Sequence, residues 1–261
     1  MTAVAENDNH LNRLKTLWRD GRTTFGAIAT IPSVQTVQVM ARSGLDWMLI
    51  DMEHGAVDIG TAHAMIVASS GTPLVPLVRL AAESNWHAKG PLDLGALGIC
   101  FPMTSTRAAA ESIVRSVRYP PLGDRFWGPF YAPLRWGLSM REYLDRADGE
   151  VLAIGTIEHI DALKSISEIV SVPGLDLLFI GPGDLATSMG LKGQADHPDV
   201  IAVIKEFEEA ILGSPVVLGG VATTRERAKE MIERGYRALV IGFDWSLLRC
   251  GIESVLNGVR V

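Results

Sequence analysis

The chain has 261 residues, 48% of them hydrophobic and 21% charged, with 26 Gly and 13 Pro, close to the globular average. This composition excludes collagen-like, low-complexity and disordered classes, and the length suits one large domain of the size at which α/β barrels occur. A net charge of −6 and a pI near 5.5 disfavour a nucleic-acid or anionic-membrane partner. Cys100 and Cys250 are too few for a disulfide framework, and the polar start MTAVAENDNHLNRLK lacks the apolar stretch of a secretory signal. No run reaches the roughly 18 apolar residues that span a bilayer. A soluble, cytoplasmic protein is expected, with residues 1–10 as a disordered tail ahead of a domain covering 11–261.

In chain order, strands are predicted at Phe25–Ile31, Trp47–Asp51, Leu74–Leu80, Gly98–Pro102, Val151–Ile157, Leu175–Ile180, Val216–Gly219 and Ala238–Gly242. Runs such as WMLID, LVPLVRL and LDLLFIGP are apolar almost throughout, the mark of strands covered on both faces in a parallel sheet. Between them helices are predicted at Ser33–Arg42, Thr106–Arg118, Asp161–Ile169, Asp199–Ile211 and Thr223–Glu233, with Met140–Ala147 also helix-like. Gly44, Gly71, Gly95 and Gly235 stand just before strands, where glycines end helices. Eight strand–helix units describe a (β/α)₈ TIM barrel. An open doubly wound sheet is the alternative, but neither G-x-G-x-x-G nor G-x-x-x-x-G-K-[ST] occurs. The segment Tyr119–Gly137, YPPLGDRFWGPFYAPLRWG, is too irregular for a helix and reads as a lid, an interface loop or a surface loop.

Barrel chemistry sits at the C-terminal ends of the strands, so the ionisable residues that end strands are the candidates. They are Asp51, Glu53 and His54 after strand 2, Arg79 on strand 3, Glu158 after strand 5, Asp184 in GPGD after strand 6, and Asp244 after strand 8. Glu158 and Asp184, two carboxylates without cysteine or a His-rich spacing, suit a hard divalent cation such as Mg²⁺ or Mn²⁺; capping of the following helices is the alternative. His54 beside Asp51 suits a base whose ring the carboxylate orients. Arg79 suits a carboxylate or an enolate oxygen, or else an ion pair with Glu53 or Glu158. The glycine-rich turn IGPGD offers backbone N–H groups to an anion. None of the six lysines (Lys15, Lys89, Lys164, Lys192, Lys205, Lys229) ends a predicted strand, which disfavours a Schiff-base aldolase. Cys100 and Cys250 both read as small buried hydrophobes.

The segments DWMLIDMEHG, PLVRL, LDLGALGICFPM, VRYPPLGDR, TIEHIDAL, GLDLLFIGPGDLATSMG and HPDV, spread over roughly residues 12–255, resemble the HpcH/HpaI family of metal-dependent (class II) pyruvate aldolases. The family includes 4-hydroxy-2-oxoheptanedioate aldolase and 2-dehydro-3-deoxyglucarate aldolase. The resemblance implies a single-domain (β/α)₈ barrel whose last helix is exchanged between subunits of a homo-oligomer, a hexamer built as a trimer of dimers. It implies Glu158 and Asp184 as ligands of a divalent metal (Mg²⁺, Mn²⁺ or Co²⁺) and His54 as general base oriented by Asp51. Arg79 would contact the 2-oxo acid and steady the enolate. Backbone N–H groups of Gly183 and Asp184 would face the substrate carboxylate, and Asp93 would lie near the site at the subunit boundary.

The implied reaction is reversible cleavage of 4-hydroxy-2-oxo acids to pyruvate, or hydroxypyruvate, and an aldehyde through a metal-stabilised enolate. Two positions depart from the best-known members. Thr156 stands where several carry Gln, and FWGPFYAPLRWG replaces a small-residue, RG-type stretch. Arg125 and the aromatics Phe126, Trp127, Phe130 and Tyr131 are therefore expected to reshape the aldehyde pocket for a bulkier or more apolar acceptor. An acyl-CoA lyase of the citrate or malyl type, an oxaloacetate decarboxylase and a non-catalytic binding barrel are the competing readings.

Overall fold

The computed structural model describes residues 11–82, 85–257 and 259; the expected tail 1–10 lies outside the described residues. Eight strands run β1 (Thr24–Ala29), β2 (Trp47–Asp51), β3 (Val75–Arg79), β4 (Gly98–Phe101), β5 (Leu152–Ile157), β6 (Leu177–Ile180), β7 (Val217–Val221) and β8 (Ala238–Phe243). Each pairs in parallel with its neighbours in chain order, and β8 closes on β1, so the sheet is a complete barrel. Closure removes both sheet edges, and the apolar runs fill two separate spaces.

Inside the barrel pack Ile28, Trp47, Leu49, Leu77, Cys100, Ile154, Leu177, Phe179 and Val240. The opposite face of the same strands, with Met48, Ile50, Val78, Ile99, Ala153 and Leu178, packs against the surrounding helices. Gly26 makes room for the largest interior side chain: a Cβ there would fall 2.1 Å from the ring of the wholly buried Trp47. The indole N–H donates to Thr24 Oγ1 at 3.2 Å, so the polar atom of this core residue is satisfied. At the N-terminal end of the barrel, helix α1 (Arg13–Arg19) inserts Leu14 into the interior cluster. Asn12, its cap, ties that helix to the carbonyls of Leu97 and Glu150.

The helices, among them α2 (Val34–Met40) after β1 and α3 (Ile59–Ala68) after β2, follow their sequence signals with some exceptions. Thr106 caps α5 (Arg107–Val117), accepting from the Ala109 N–H, and Thr224 caps α11 (Arg225–Glu233), accepting from the Arg227 N–H. Gly44, Gly71, Gly95 and Gly235 all have φ between 72° and 104°, the left-handed conformation of a helix-ending glycine. The stretch expected as one helix over Asp161–Ile169 divides into a 3₁₀ turn (Ile160–Lys164) and a single α-turn, α8 (Ile166–Ile169). The irregular 119–137 segment does contain a helix, α6 (Ala132–Trp136), started by Pro133 and ended by Gly137 at φ 68°. It leads into α7 (Met140–Glu150), whose Ser139–Glu142 capping box is complete.

Asp244 is a correction to the list of rim candidates. It is buried and accepts from the Thr30 and Ile31 N–H groups and the Thr30 hydroxyl at 2.7–2.9 Å, stitching the end of β8 to the end of β1. Among the described residues no helix is long and apolar enough to cross a membrane. Gly26→Ala is expected to lower unfolding stability by about 3 kcal/mol or to prevent folding, because the Trp47 ring has nowhere to retreat. Urea unfolding monitored by tryptophan fluorescence checks this, and a loss below about 0.5 kcal/mol would contradict the packing described.

Candidate active site

A strand turns successive side chains to opposite faces, so a residue two positions beyond an interior side chain also points inward. Leu49 is followed in this phase by Asp51, Leu77 by Arg79, and Ile154 by Thr156 and then Glu158. The apolar interior thus ends, at its C-terminal mouth, in a layer of ionisable groups. Asp51 and Arg79 are direct partners in the β2–β3 register. Arg79 Nε donates to Asp51 Oδ1 at 2.9 Å and Nη2 to Oδ2 at 2.7 Å, a bidentate pair with the carboxylate wholly buried. Burial opposes the charge on Asp51, but the bonds and charge of Arg79 outweigh it and hold the carboxyl below its usual range. Arg79 is likewise driven further toward its charged form against its own desolvation.

Asp51 does not orient the His54 ring, contrary to the sequence expectation. Its Oδ1 accepts the backbone N–H groups of Glu53 and His54 at 3.0 and 3.3 Å, so it shapes the turn that carries the histidine. The carboxylate beside the imidazole is Glu53, whose Oε2 lies 3.6 Å from His54 Nε2 and 3.3 Å from Arg79 Nε. Arg79 therefore makes an ion pair with Glu53, one of the alternatives read from sequence, while its hydrogen bonds go to Asp51. Glu53 is one of the strand-end candidates, to which the family resemblance gives no role of its own. The signal that finds it is the same two-residue phase, continued from Asp51.

Glu158 is buried, and its Oε1 accepts the Met103 N–H at 2.6 Å. Met103 follows β4 with φ 57°, a left-handed conformation uncommon outside glycine, and Thr104 resumes the ladder to Thr156. That bulge aims the Met103 N–H at the carboxylate, a contact no motif announces. Burial pushes the Glu158 carboxyl up, and the negative charges of Glu53 and Asp184 add to it against the Met103 bond and Arg79. Asp184 sits in the first turn of α9 (Pro182–Ser188), where a negative charge suits the helix N-terminus, and its carboxylate also faces the cavity. A cavity of about 740 Å³ opens at this mouth, with Arg79, Glu158, Gly181, Gly183 and Asp184 on its wall and Cys100 and Phe179 among its apolar lining.

The donor set fits a hard divalent cation. Its donors are carboxylate oxygens, and Gly181 keeps the space beside Glu158 open: a Cβ there would stand 3.4 Å from Oε2. Among the described residues no cluster of three or more His, Cys, Asp or Glu is arranged as a complete metal cage. Two protein carboxylates with water and substrate oxygens completing the shell is the usual arrangement for such ions.

Three expected substrate-side residues are gathered elsewhere in the chain. Asp93 ends α4 (Asn85–Asp93), the helix leading back to the N-terminal end of β4, and pairs with Arg125 Nη2 at 3.2 Å. The Arg125 side chain has no exposure; it donates to Tyr143 Oη at 2.7 Å and stacks 4.5 Å from the Tyr119 ring centre. Trp127 is exposed, edge-on to Phe130 at 5.1 Å, and neither Trp127 nor Arg125 lines the cavity. Both cysteines were read as buried, but only Cys100 is, its thiol pushed up to about 12 by desolvation, and Cys250 is exposed on α12 (Asp244–Leu256). Lys205 lines the outer part of the cavity from an exposed position on α10 (Pro198–Leu212), not desolvated as a Schiff-base lysine must be.

Comparison with known proteins joins these features to a family. The model of the HpcH/HpaI aldolase/citrate lyase family matches residues 31–250. The chain is 33% identical to a hydroxypyruvate/pyruvate aldolase of Pseudomonas aeruginosa, over 95% of this chain and 92% of that one. It is 31% identical to a 4-hydroxy-2-oxo-heptane-1,7-dioate aldolase of Escherichia coli, over 94% and 93% of the two chains. A crystal structure of an HpcH/HpaI aldolase/citrate lyase family protein from Burkholderia cenocepacia superposes with a TM-score of 0.89 at 32% identity, covering 96% of this chain and all of that one. The chain belongs to the HpcH/HpaI aldolase/citrate lyase family. It is an aldolase, a carbon–carbon lyase.

Because the folded Asp51 carboxyl is depressed, its contribution to stability is complete above the unfolded value near 3.9 and is lost as pH falls through the lower folded value. Asp51→Asn is therefore expected to cost about 3 kcal/mol from neutral pH to about pH 5, and progressively less below about pH 4. Urea unfolding across that range checks it; a cost that grew on acidification would reverse the sign argued here.

Proposed function

We propose that this aldolase catalyses reversible retro-aldol cleavage of 4-hydroxy-2-oxo acids to pyruvate, or hydroxypyruvate, and an aldehyde, with a divalent cation (Mg²⁺, Mn²⁺ or Co²⁺) held by Glu158 and Asp184. The observation that carries the reading is the convergence of Arg79, Glu158 and Asp184 on one cavity at the barrel mouth. The names of the relatives point to the same substrate class. When bound, the cation supplies Lewis-acid polarisation of the 2-oxo group.

The chain's own groups do the rest. Arg79, locked by Asp51, presents a fixed positive charge to the 2-oxo acid and to the oxygen that becomes anionic as the C3–C4 bond breaks. Backbone N–H groups of Gly183 and Asp184, in the first turn of α9, face the substrate carboxylate. His54 takes the C4 hydroxyl proton, the electrons of the C3–C4 bond pass to the enolate, and the aldehyde leaves. Cys100 and Phe179 form an apolar floor that limits water around the enolate. The acyl-CoA reading is less well supported: Arg227 and Arg234 reach the cavity, but both are ion-paired with Glu230.

The same reading takes the enzyme as a cytoplasmic homo-oligomer, a hexamer built as a trimer of dimers with α12 exchanged between subunits. In support, α12 carries Trp245, Leu247, Leu248, Ile252 and Val255 exposed, an apolar helix face without cover in its own chain. The exposed aromatics Phe126, Trp127 and Phe130, close in sequence to the buried Asp93–Arg125 pair, are placed by this reading at the subunit boundary. There they would shape the aldehyde side of a neighbour's site.

Pyruvate release from a 4-hydroxy-2-oxo acid, followed with a coupled dehydrogenase, is expected to vanish on chelation and return with added Mg²⁺, Mn²⁺ or Co²⁺. Glu158→Gln and Arg79→Ala are each expected to lower kcat/KM by about 10²–10³-fold; activity untouched by chelator or by Glu158→Gln would overturn the metal assignment. For assembly, the double substitution Leu248→Glu/Ile252→Glu is expected to yield a smaller species by light scattering than the unmodified chain, and an unchanged mass would remove α12 from the interface.

A further inference from the structure

The cavity at the barrel mouth is larger than the reaction centre needs. It holds about 740 Å³, whereas a pyruvate molecule fills about 180 Å³ when each heavy atom is given a water's share of ~30 Å³. The surplus lies on one side. Phe179 and Val240 bound the cavity from inside the barrel, but Ile180 and Ile204, which belong to the packing between sheet and helices, bound it too. The cavity therefore passes over the end of β6 and continues outward between α10 and α11. Gly181 and Gly183 keep the wall low at the crossing, and a Cβ on Gly183 would meet nothing within 4 Å.

The outer arm changes character along its length. Ile201 and Ile204 give it an apolar strip, and Ile201 is left exposed. Helices of this barrel start at the mouth, so Asp196, just ahead of α10, stands at the inner end. Lys205 lies about 10 Å further along the helix from its start at Pro198, at 1.5 Å per residue. Of the cations on the arm, Arg227 donates to both oxygens of Glu230 at 2.8 and 2.9 Å. Arg234 donates to Glu230 at 3.0 Å and also to Glu208. Lys205 makes no hydrogen bond or ion pair among the described residues. The arm thus joins an apolar strip to an uncommitted positive charge.

We infer that this arm is the subsite for the remainder of the aldehyde, and that Lys205 is a specificity-determining residue selecting a long apolar chain that ends in a carboxylate. This rests on the aldolase reading above. In a 4-hydroxy-2-oxo acid the half that becomes pyruvate has no atoms beyond C3, so only the aldehyde half varies in length. Methylene groups laid against Ile201 and Ile204 leave water. A carboxylate reaching Lys205 gains an ion pair, weakened by its exposure. A short anionic acceptor fares worse, because its carboxylate stops beside Asp184 and Asp196, where like charges repel. Length and charge are therefore selected together.

Aldol addition of pyruvate to two matched series of aldehydes reads the arm, one series ending in carboxylate and one in methyl. The series begin with glyoxylate and acetaldehyde and lengthen by one methylene at a time. The ratio of kcat/KM values, carboxylate over methyl, is expected to lie below one for the shortest pair. It is expected to rise to about five once the chain spans about 10 Å. Lys205→Gln is expected to bring the long-chain ratio to about one, Lys205→Arg to keep it and Lys205→Glu to invert it. A long-chain preference that persists in Lys205→Gln, or a ratio independent of length in the unmodified enzyme, would overturn the inference. Octanoate binding by isothermal titration calorimetry needs no turnover and is expected to be about fivefold weaker in Lys205→Gln; equal affinity would remove Lys205 from the subsite. Should neither series react, the aldolase reading falls, and the octanoate titration still decides the role of Lys205.

Discussion

The alternation of side chains along a strand, once the sheet is closed into a barrel, governs this molecule. Every second residue must enter a space too narrow for water, so most of each strand's inward positions are apolar and only the last, at the open mouth, carries charge. Leu49 and Leu77 occupy the interior, and Asp51 and Arg79, one step further along the same faces, meet across the register as a bidentate pair. The β2–β3 ladder thus both closes the sheet and places the guanidinium. Because the partners are set by main-chain pairing, little side-chain entropy remains to be lost when substrate arrives.

The electrostatics of the mouth follow from that pair. Glu53, Glu158 and Asp184 bring three further carboxylates to a region holding one buried guanidinium, already occupied by Asp51. Such an excess of negative charge is unfavourable in a partly desolvated site unless protons or a cation neutralise it. Glu158 shows the tension most clearly, its carboxyl raised by burial and by its acidic neighbours, while Met103 accepts a left-handed backbone to supply it with one N–H. Such a charge distribution suits a positive ion and an anionic substrate together, and the mild overall acidity of the chain is no obstacle to recognition that is local.

Two apolar surfaces remain uncovered in the single chain. Helix α12 presents a row of apolar side chains to solvent, and the 126–134 segment exposes Phe126, Trp127, Phe130 and Leu134. Beneath the latter lies a different kind of order: Arg125, wholly buried, is held by Asp93, Tyr143 and the Tyr119 ring. That anchor ties a loop rich in glycine and proline to α4 and α7. It also explains why Arg125 does not reach the cavity: its charge is needed inside the loop.

The sequence by itself determined the strands, their parallel closure and the identity of Arg79, Glu158, Asp184 and His54 as rim residues. These depend on local period and on polar residues ending apolar runs, which neighbouring positions encode. Only the tertiary structure decided which carboxylate serves which partner. Asp51 stands three residues from His54 and 28 from Arg79, yet its side chain turns to the arginine, because the strand register brings them face to face and the chain direction carries the imidazole outward. Arg125 and Trp127 are expected to shape the aldehyde pocket and Asp93 to lie near a site at the subunit boundary; within one chain Asp93 and Arg125 build a partly buried anchor and Trp127 an exposed face. The donors and acceptors of that cluster come from segments up to 50 residues apart, Asp93 to Tyr143, and no local pattern records such a meeting.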